Sequence, residues 1–353
     1  MKVLVLSSSE SIHTQRWVNS LVEKGVDVVL VSQHLPIGMF DSRVKYYQLK
    51  DFGDAGYFLH TFRVRSIIRS EDPDIVHAHF ASGYGTLAKN SSRNYFLSVW
   101  GSDVYEFPDS SRIKKYLLKR VLAGANRIFS TSYVMRERTR QFTDKNIEVI
   151  PFGVDCERFN VVAKPRAGIK IGLVKVLSEK YGVDILLKAF AIVISERPAN
   201  NILLEIAGDG ELKADLERLS ADLGVASKVS FIGWVDNSDV PEFIAGLDIF
   251  VVPSRWDSES FGVVAVEAGA ASKPCVVSNV GGLPEVVQDG VTGYVVPKED
   301  PKLLAEKIIS LIDDDELRRV IGDAGRKRVL ENYNWNDNVD TMCQYYFAGY
   351  EGV

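Results

Sequence analysis

The chain has little of what would hold a fold together covalently or around a metal. Its three cysteines, Cys156, Cys275 and Cys343, are scattered and odd in number, which argues against a disulfide framework or a zinc cluster. Only His77 and His79 stand close together, and no third ligand follows at a suitable spacing. Long apolar runs are also missing. The runs there are, such as Ile249–Pro253, suit buried strands and fall far short of a membrane span. Met1-Lys2-Val3-Leu4-Val5-Leu6 reads as a first strand without the longer apolar core and small-residue cleavage site of a signal peptide. A reducing cytoplasm is therefore the expected compartment. The first strand–helix turn, Ser7-Ser8-Ser9-Glu10-Ser11-Ile12-His13, contains no glycine, so the G-x-G-x-x-G dinucleotide fingerprint is absent. A nicotinamide dehydrogenase becomes a poor reading. There is no D-x-D pair between apolar strands in the first half and no G-x-S-x-G elbow.

What is present is an ordinary globular composition, 46% hydrophobic and 25% charged over 353 residues. That length suggests two domains of about 150–180 residues. Net charge is −5 but unevenly divided: residues 1–160 carry 22 Lys+Arg against 17 Asp+Glu, the remainder 20 against 30. Residues 112–145 alone hold ten basic and two acidic side chains. A positive first half and an acidic second half suggest an anionic partner on one side only.

The periodicity is that of an α/β protein. In the first half, short β-branched runs at 3–7, 26–32, 75–79, 96–100, 127–131 and 148–151 alternate with helix patterns at 14–24, 61–70 and 112–123. The series restarts at 169–174 and continues through 202–207, 228–231, 249–252, 275–278 and 293–296. Continuous apolar strands separated by helices indicate parallel sheets covered on both faces. The expected fold is two Rossmann-like doubly wound domains facing a central cleft. Residues 1–160 form an N-terminal domain and 161–335 a C-terminal one. Nothing requires the last segment, 336–353, to stay on the second domain. Val161–Gly168 reads as the linker.

Strand ends carry the candidate chemistry, because ligands of such sheets bind beyond the carboxyl ends of the strands. Glu259 and Glu267, with seven residues between them, place one carboxylate in a loop and the other beyond the first turn of a helix starting near Gly262. Ser258 to Gly262 has capping and turn chemistry. The helix start suits a diphosphate, and Glu267 would reach past it to a ribose diol. A solvated loop charge and a paired core residue explain the two glutamates equally well in isolation. Lys175 and Lys180 flank the loop after the strand at 169–174 and fit a diphosphate, although lysines are most often solvated. Gly208-Asp209-Gly210 and Gly233-Trp234-Val235 sit at strand ends, where turns could hold a base or sugar. In the first half, the hydroxyl run ending at Ser9 can line a cleft. His13 is either a cleft residue or a polar residue at a helix start, and His79 ends its strand. Asp103, in Trp100-Gly101-Ser102-Asp103, is either a substrate-hydroxyl contact or a turn cap. The helix pattern Arg112–Arg120 sets apolar 113, 117, 118, 121 and 122 on one face, beside basic groups. It packs inward or lies on an anionic membrane surface. Nucleic acid is the weaker partner, since the overall charge is negative and no stacking platform is evident.

Together these residues resemble the family 4 glycosyltransferases, retaining enzymes of the GT-B fold. The likeness runs through Ser11-Ile12-His13-Thr14-Gln15-Arg16-Trp17, Asp74-Ile75-Val76-His77-Ala78-His79, Gly101-Ser102-Asp103 and Ile150-Pro151-Phe152-Gly153-Val154-Asp155. It continues through Lys175…Lys180, Gly208-Asp209-Gly210, Glu259-x₇-Glu267 and the run from Ser278 to Glu285. The resemblance implies that Lys175 and Lys180 hold the donor phosphates and act in catalysis with Glu259, which contacts the donor sugar. It puts Ser260, Phe261, Gly262 and Val263 near phosphate or sugar, Glu267 on the ribose, and Gly208, Asp209 and Val235 in the donor site. Ser9, His13, His79, Trp100 and Asp103 would lie on the acceptor side. No cofactor and no metal are implied, and a UDP-sugar is favoured over a GDP-sugar as donor. Two positions depart from the family pattern. Lys175 stands for a common arginine and loses its bidentate fork, and Trp100 stands for a common histidine.

The expected activity is retaining transfer of a hexose-type sugar from a nucleotide sugar to a saccharide acceptor. The basic segment favours a polyprenyl-diphosphate-linked or other lipid-linked acceptor at the inner membrane face, as in capsule, O-antigen, lipopolysaccharide or exopolysaccharide synthesis. A GT-B nucleotide-sugar epimerase would instead turn over the donor with no acceptor present. A non-catalytic nucleotide-sugar binding protein would bind donor without transfer or hydrolysis.

Overall fold

The computed structural model describes residues 1–36, 38–162 and 167–350. Residues 163–166 of the expected linker and 351–353 of the last segment lie outside the described residues. The chain divides into two compact units, Met1–Phe152 with Asn336–Val353, and Gly153–Trp335. The division thus falls at Phe152 rather than at residue 160. A backbone pairing accounts for the earlier boundary. Val154 N–H donates to the Tyr333 carbonyl at 2.8 Å, and Trp335 N–H donates to the Val154 carbonyl at 3.0 Å. The two places where the chain passes between units are therefore tied together, and residues 153–160 belong with the second unit.

The first unit is a seven-stranded sheet: β1 Lys2–Leu6, β2 Asp27–Ser32, β3 Lys45–Gln48, β4 Ile75–His79, β5 Phe96–Val99, β6 Arg127–Ser130 and β7 Ile147–Val149. All pairings are parallel and the order is β3-β2-β1-β4-β5-β6-β7. β3 (Lys-Tyr-Tyr-Gln) escaped the sequence reading because it is a half-exposed edge strand with polar ends. The Tyr84–Ser91 and Tyr133–Arg140 helices also escaped it. Tyr84 to Ala88 are all buried, so that helix shows no amphipathic stripe.

The last helix, Trp335–Tyr350, belongs to the first unit. Tyr346 on it is fully buried, and its hydroxyl lies 2.6 Å from His77 Nδ1, while His77 Nε2 meets Ser98 Oγ at 2.9 Å. The Arg112–Gly124 helix starts at a true cap, since Ser111 Oγ accepts from the Lys114 N–H at 3.2 Å. Its inward face is Leu118, Val121 and Leu122; Ile113, expected on that face, is exposed instead. Among the described residues no helix is long and apolar enough to cross a membrane.

The second unit has six parallel strands, β8 Ile169–Val174, β9 Ile202–Ala207, β10 Val229–Gly233, β11 Ile249–Val252, β12 Cys275–Ser278 and β13 Gly293–Val296. Their order is β10-β9-β8-β11-β12-β13. The direction in which strands are added therefore reverses between β8 and β11, as it does between β1 and β4 in the first unit. Such switch points leave a crevice beyond the strand ends, because the connections on either side run to opposite faces. Each unit has its own core, centred on Leu4, Leu97 and Ile128 in the first and on Leu173, Phe190 and Val251 in the second.

Candidate active site

The strongest concentration of charge near a switch point lies in the second unit. β8 delivers Lys175, and β11 delivers Ser254 followed by the loop that carries Glu259. Lys175 Nζ donates to Glu259 Oε2 at 2.7 Å, and Ser254 Oγ donates to the same oxygen at 3.2 Å. Both ionic side chains are about nine-tenths buried, at 11% and 8% exposure. Lys180 Nζ donates to the Ser258 carbonyl at 3.0 Å. The Lys175 and Lys180 ammonium groups lie over the Tyr181 ring, 4.5 Å and 5.5 Å from its centroid. A pair of cations, one carboxylate and one hydroxyl therefore converge beyond adjacent strand ends.

Glycines let backbone close around this cluster. A Cβ at Gly208 would lie 1.8 Å from the Lys175 carbonyl oxygen, and one at Gly281 2.1 Å from that of Glu259. Gly282 N–H donates to the Glu259 carbonyl at 2.9 Å, tying the loop after β12 to the glutamate loop. Asp209 is exposed at the end of β9, and Val235 is half-buried beyond β10.

The helix after the glutamate loop spans Val263–Ala270 and begins without a side-chain cap. Ser258 does not serve as the cap, contrary to the expectation from sequence. Gly262 takes that position in the left-handed region at φ 85°, with Leu283 so close that a Cβ would meet it at 2.6 Å. Ser260 and Phe261 are buried, Val263 is partly buried, and Ser258 Oγ is buried without a partner. Glu267 lies buried past the helix's first turn.

Three participants were missed in the sequence. Ser254 follows directly on the apolar β11 run, which is the signal that could have found it. Tyr181 stands beside Lys180. Arg255 is a cation committed elsewhere, 2.7 Å from Asp184 and 3.1 Å from Glu299, while its N–H donates to the Lys180 carbonyl at 2.8 Å. It pins the loop rather than offering a free charge. Among the described residues, no group of three His, Cys, Asp or Glu side chains could hold a metal ion.

In the first unit the acceptor-side expectations separate. Asp103 is fully buried, with its carboxylate taken by backbone N–H groups of Ala81 at 2.7 Å, Gly101 at 2.8 Å and Trp100 at 3.1 Å. Burial pushes its pKa up against the pull of those donors. It caps a turn and presents no oxygen to a substrate. Ser9 is likewise turned inward, bonded to Ser32 Oγ and Tyr46 Oη at 3.2 Å each and to the His34 carbonyl. His79 is buried against Trp100, ring centroids 4.7 Å apart, with Nδ1 3.2 Å from Ser7 Oγ. Burial lowers its pKa to about 3. These side chains share a cause: a strand end inside a seven-stranded sheet is walled by its neighbours. His13 stacks on Phe152 at 4.3 Å and has its pKa lowered to about 4, first by burial and then by Arg16. Only His13 and Trp100 of the five retain partly exposed surface.

Two doubly wound parallel domains, matching solved structures over the whole chain, define the GT-B class of fold. The family of group 1 glycosyl transferases matches residues 157–328, and a glycosyl transferase 4-like family matches residues 2–132. An uncharacterized glycosyltransferase of Methanocaldococcus jannaschii is 30% identical over 292 residues, covering 81% of this chain and 79% of that one. The chain belongs to the group 1 glycosyltransferases. A GDP-mannose-dependent monoacylated alpha-(1-6)-phosphatidylinositol monomannoside mannosyltransferase of Corynebacterium glutamicum is 32% identical, over 59% of this chain and 58% of its own length. Among solved structures, sucrose-phosphate synthase of Thermosynechococcus elongatus superposes with a TM-score of 0.84 at 19% identity, over the whole of both chains. HepE of Anabaena in complex with UDP gives 0.83 at 17%, over 99% of this chain and 100% of that one. At such identities the two structures speak for the fold alone.

Proposed function

We propose that this glycosyltransferase moves a hexose-type sugar, with retention, from a nucleoside-diphosphate sugar held by the second unit to a saccharide acceptor held by the first. The observation that carries this reading is the Lys175–Glu259–Ser254 cluster, with Lys180 beside it, at the β8/β11 switch point. Lys175 and Lys180 supply positive charge for a diphosphate, and the uncapped helix start at Val263 adds backbone N–H groups. Charge that develops on the leaving phosphate as the C1–O bond breaks is thus met by ammonium groups. The acceptor hydroxyl forms its new bond to C1 on the same face, and its proton passes to the departing phosphate oxygen. Glu259 orients the sugar, and Glu267 takes the ribose diol. No metal is assigned a part in these steps.

A UDP-sugar is the proposed donor. The Anabaena neighbour is described in complex with UDP, whereas the Corynebacterium relative is GDP-mannose-dependent, so the two nucleotides are the arms of the test. The acceptor is proposed to be lipid-linked and to be met at the cytoplasmic membrane face. The Arg112–Gly124 helix supports this, with five cations and exposed Ile113 and Tyr116.

Thermal stabilisation by UDP, GDP and ADP identifies the nucleotide, since a ligand that binds only the folded state raises apparent stability. Transfer is then followed with the matching sugar nucleotides, with and without chelator. The reading predicts stabilisation by UDP and acceptor-dependent release of UDP. Donor turnover without acceptor would identify an epimerase, and binding without turnover across a broad acceptor panel would identify a binding protein. Glu267→Ala is expected to weaken nucleotide binding about tenfold or more, the loss of one hydrogen bond to a charged group.

A further inference from the structure

The first unit carries an exposed apolar surface outside the lysine–glutamate cluster. Between β3 and β4 a short helix, Gly56–Leu59, leads into the Thr61–Glu71 helix. Phe58, Leu59 and Phe62 project from adjacent turns of these helices and are exposed, Phe62 by 79% and Leu59 by 63%. Single exposed apolar side chains are ordinary on any protein surface, but three on contiguous turns form a patch. Residues 55–70 contain three arginines (Arg63, Arg65 and Arg69) and no acidic residue, in a chain of net charge −5. The Arg65 guanidinium lies 5.8 Å from the Phe62 ring and donates to the Asn90 carbonyl, so it holds charge beside the aromatic patch.

The topology puts this patch on the same face of the sheet as the basic Arg112–Gly124 helix. The chain steps in one direction through β3, β4, β5 and β6, apart from the return past β2 and β1, and right-handed crossovers in one direction lie on one face. The intervening Tyr84–Ser91 helix packs against both Thr61–Glu71 and Arg112–Gly124. On the latter helix, Ile113 is 72% exposed and Tyr116 61%. Residues 110–136 hold seven cations and no acid.

We propose that Phe58, Leu59 and Phe62 are the apolar anchor of a membrane-docking face, inserted among the headgroups of an anionic bilayer whose charge is met by the Arg112–Gly124 helix. The partner is a lipid surface because Arg63, Arg65 and Arg69 follow the exposed apolar groups along the helix, while Asp51 and Asp54 are confined to the turn before it. That is the pairing an anionic interface rewards. The inference rests on the membrane-surface reading of the basic helix but assigns insertion to a different element.

The two are separable by vesicle binding of the full-length protein. Wild type is compared with Phe58→Ser/Leu59→Ser/Phe62→Ser and with Lys114→Gln/Lys115→Gln/Lys119→Gln/Arg120→Gln. The vesicles are phosphatidylcholine with and without phosphatidylglycerol, at low and high salt. The mutated side chains are exposed, so both variants are expected to keep the wild-type melting temperature and nucleotide-induced stabilisation. The basic-helix variant should lose the salt-sensitive part of binding. The serine variant should keep that part and lose about tenfold in affinity at high salt, as expected when a few apolar side chains no longer insert. Wild-type affinity of the serine variant at high salt would overturn the anchor while leaving the basic helix in place. No binding by wild type to phosphatidylglycerol vesicles would overturn both, with nucleotide stabilisation still reporting on the donor site. Concentration-dependent dimerisation abolished by Phe62→Ser would assign the patch to a second copy of the chain instead.

Discussion

The Lys175 ammonium lies 2.7 Å from a carboxylate oxygen of Glu259, although 84 residues separate them in the chain. Both groups are nearly withdrawn from water, and each is the other's counter-charge. Lys175→Met should therefore destabilise the protein by about 3–5 kcal/mol by leaving Glu259 buried without its cation. Lys175→Met/Glu259→Gln should restore much of that loss. Chemical denaturation of the two variants decides the point. Equal stability of single and double variants would show that the pair is not coupled.

In function the same two residues should part company. Glu259→Gln keeps the volume and removes the charge, and is expected to lower transfer about a hundredfold while nucleotide affinity changes little. That is the pattern of an interaction used mainly in the transition state. Kinetics at saturating donor, beside a binding titration with the nucleotide, would separate the effects.

Gly208 is a backbone requirement rather than a flexible spacer. Its φ is 133°, and a Cβ would sit 1.8 Å from the Lys175 carbonyl oxygen. Gly208→Ala should displace Lys175 and impair nucleotide binding at least as strongly as removal of the lysine side chain. Isothermal titration with the cognate nucleotide tests this, and undiminished affinity would refute it.

Tyr346 fastens the last helix to the first sheet through His77. Tyr346→Phe leaves His77 Nδ1 buried without its partner, at a cost of about 1–3 kcal/mol. A calorimetric melt should show the loss, while stabilisation by nucleotide, which reports on the second unit, stays intact.

Acid should weaken the first unit. Burial lowers the pKa of His79 from 6.5 to about 3, and burial with Arg16 lowers that of His13 to about 4. Between those values and 6.5 the unfolded chain binds protons that the folded chain does not. Stability is therefore full above about pH 6.5 and falls as pH drops toward 3. Denaturation midpoints across that range should decline, and His79→Gln should make the decline shallower. A slope unchanged by the substitution would remove His79 from the account.

Much of this protein was legible in its residues alone. The apolar runs at 169–174, 202–207, 249–252, 275–278 and 293–296 coincide with β8, β9, β11, β12 and β13. A strand buried on both faces must be apolar throughout, so it announces itself. Lys175 stands directly after such a strand, whereas Lys180 and Glu259 lie further into their loops and were picked out by the family resemblance. β3 was not readable, because an edge strand needs neither apolar continuity nor alternation.

What the sequence determined by itself was local: which segments form strands, where glycine must stand, and which charged groups follow strand ends. Only the tertiary structure decided which of those polar groups remain available. Asp103, Ser9 and His79 look like binding residues in the sequence, yet packing commits each to partners inside the first unit. Packing also sets Ser254 beside Glu259 and Tyr346 beside His77. Such choices depend on hydrogen-bond partners brought together across long stretches of chain, and local pattern carries no record of them. The pairing of Lys175 with Glu259 is of the same kind: each residue could be named from sequence, but their direct contact belongs to the fold.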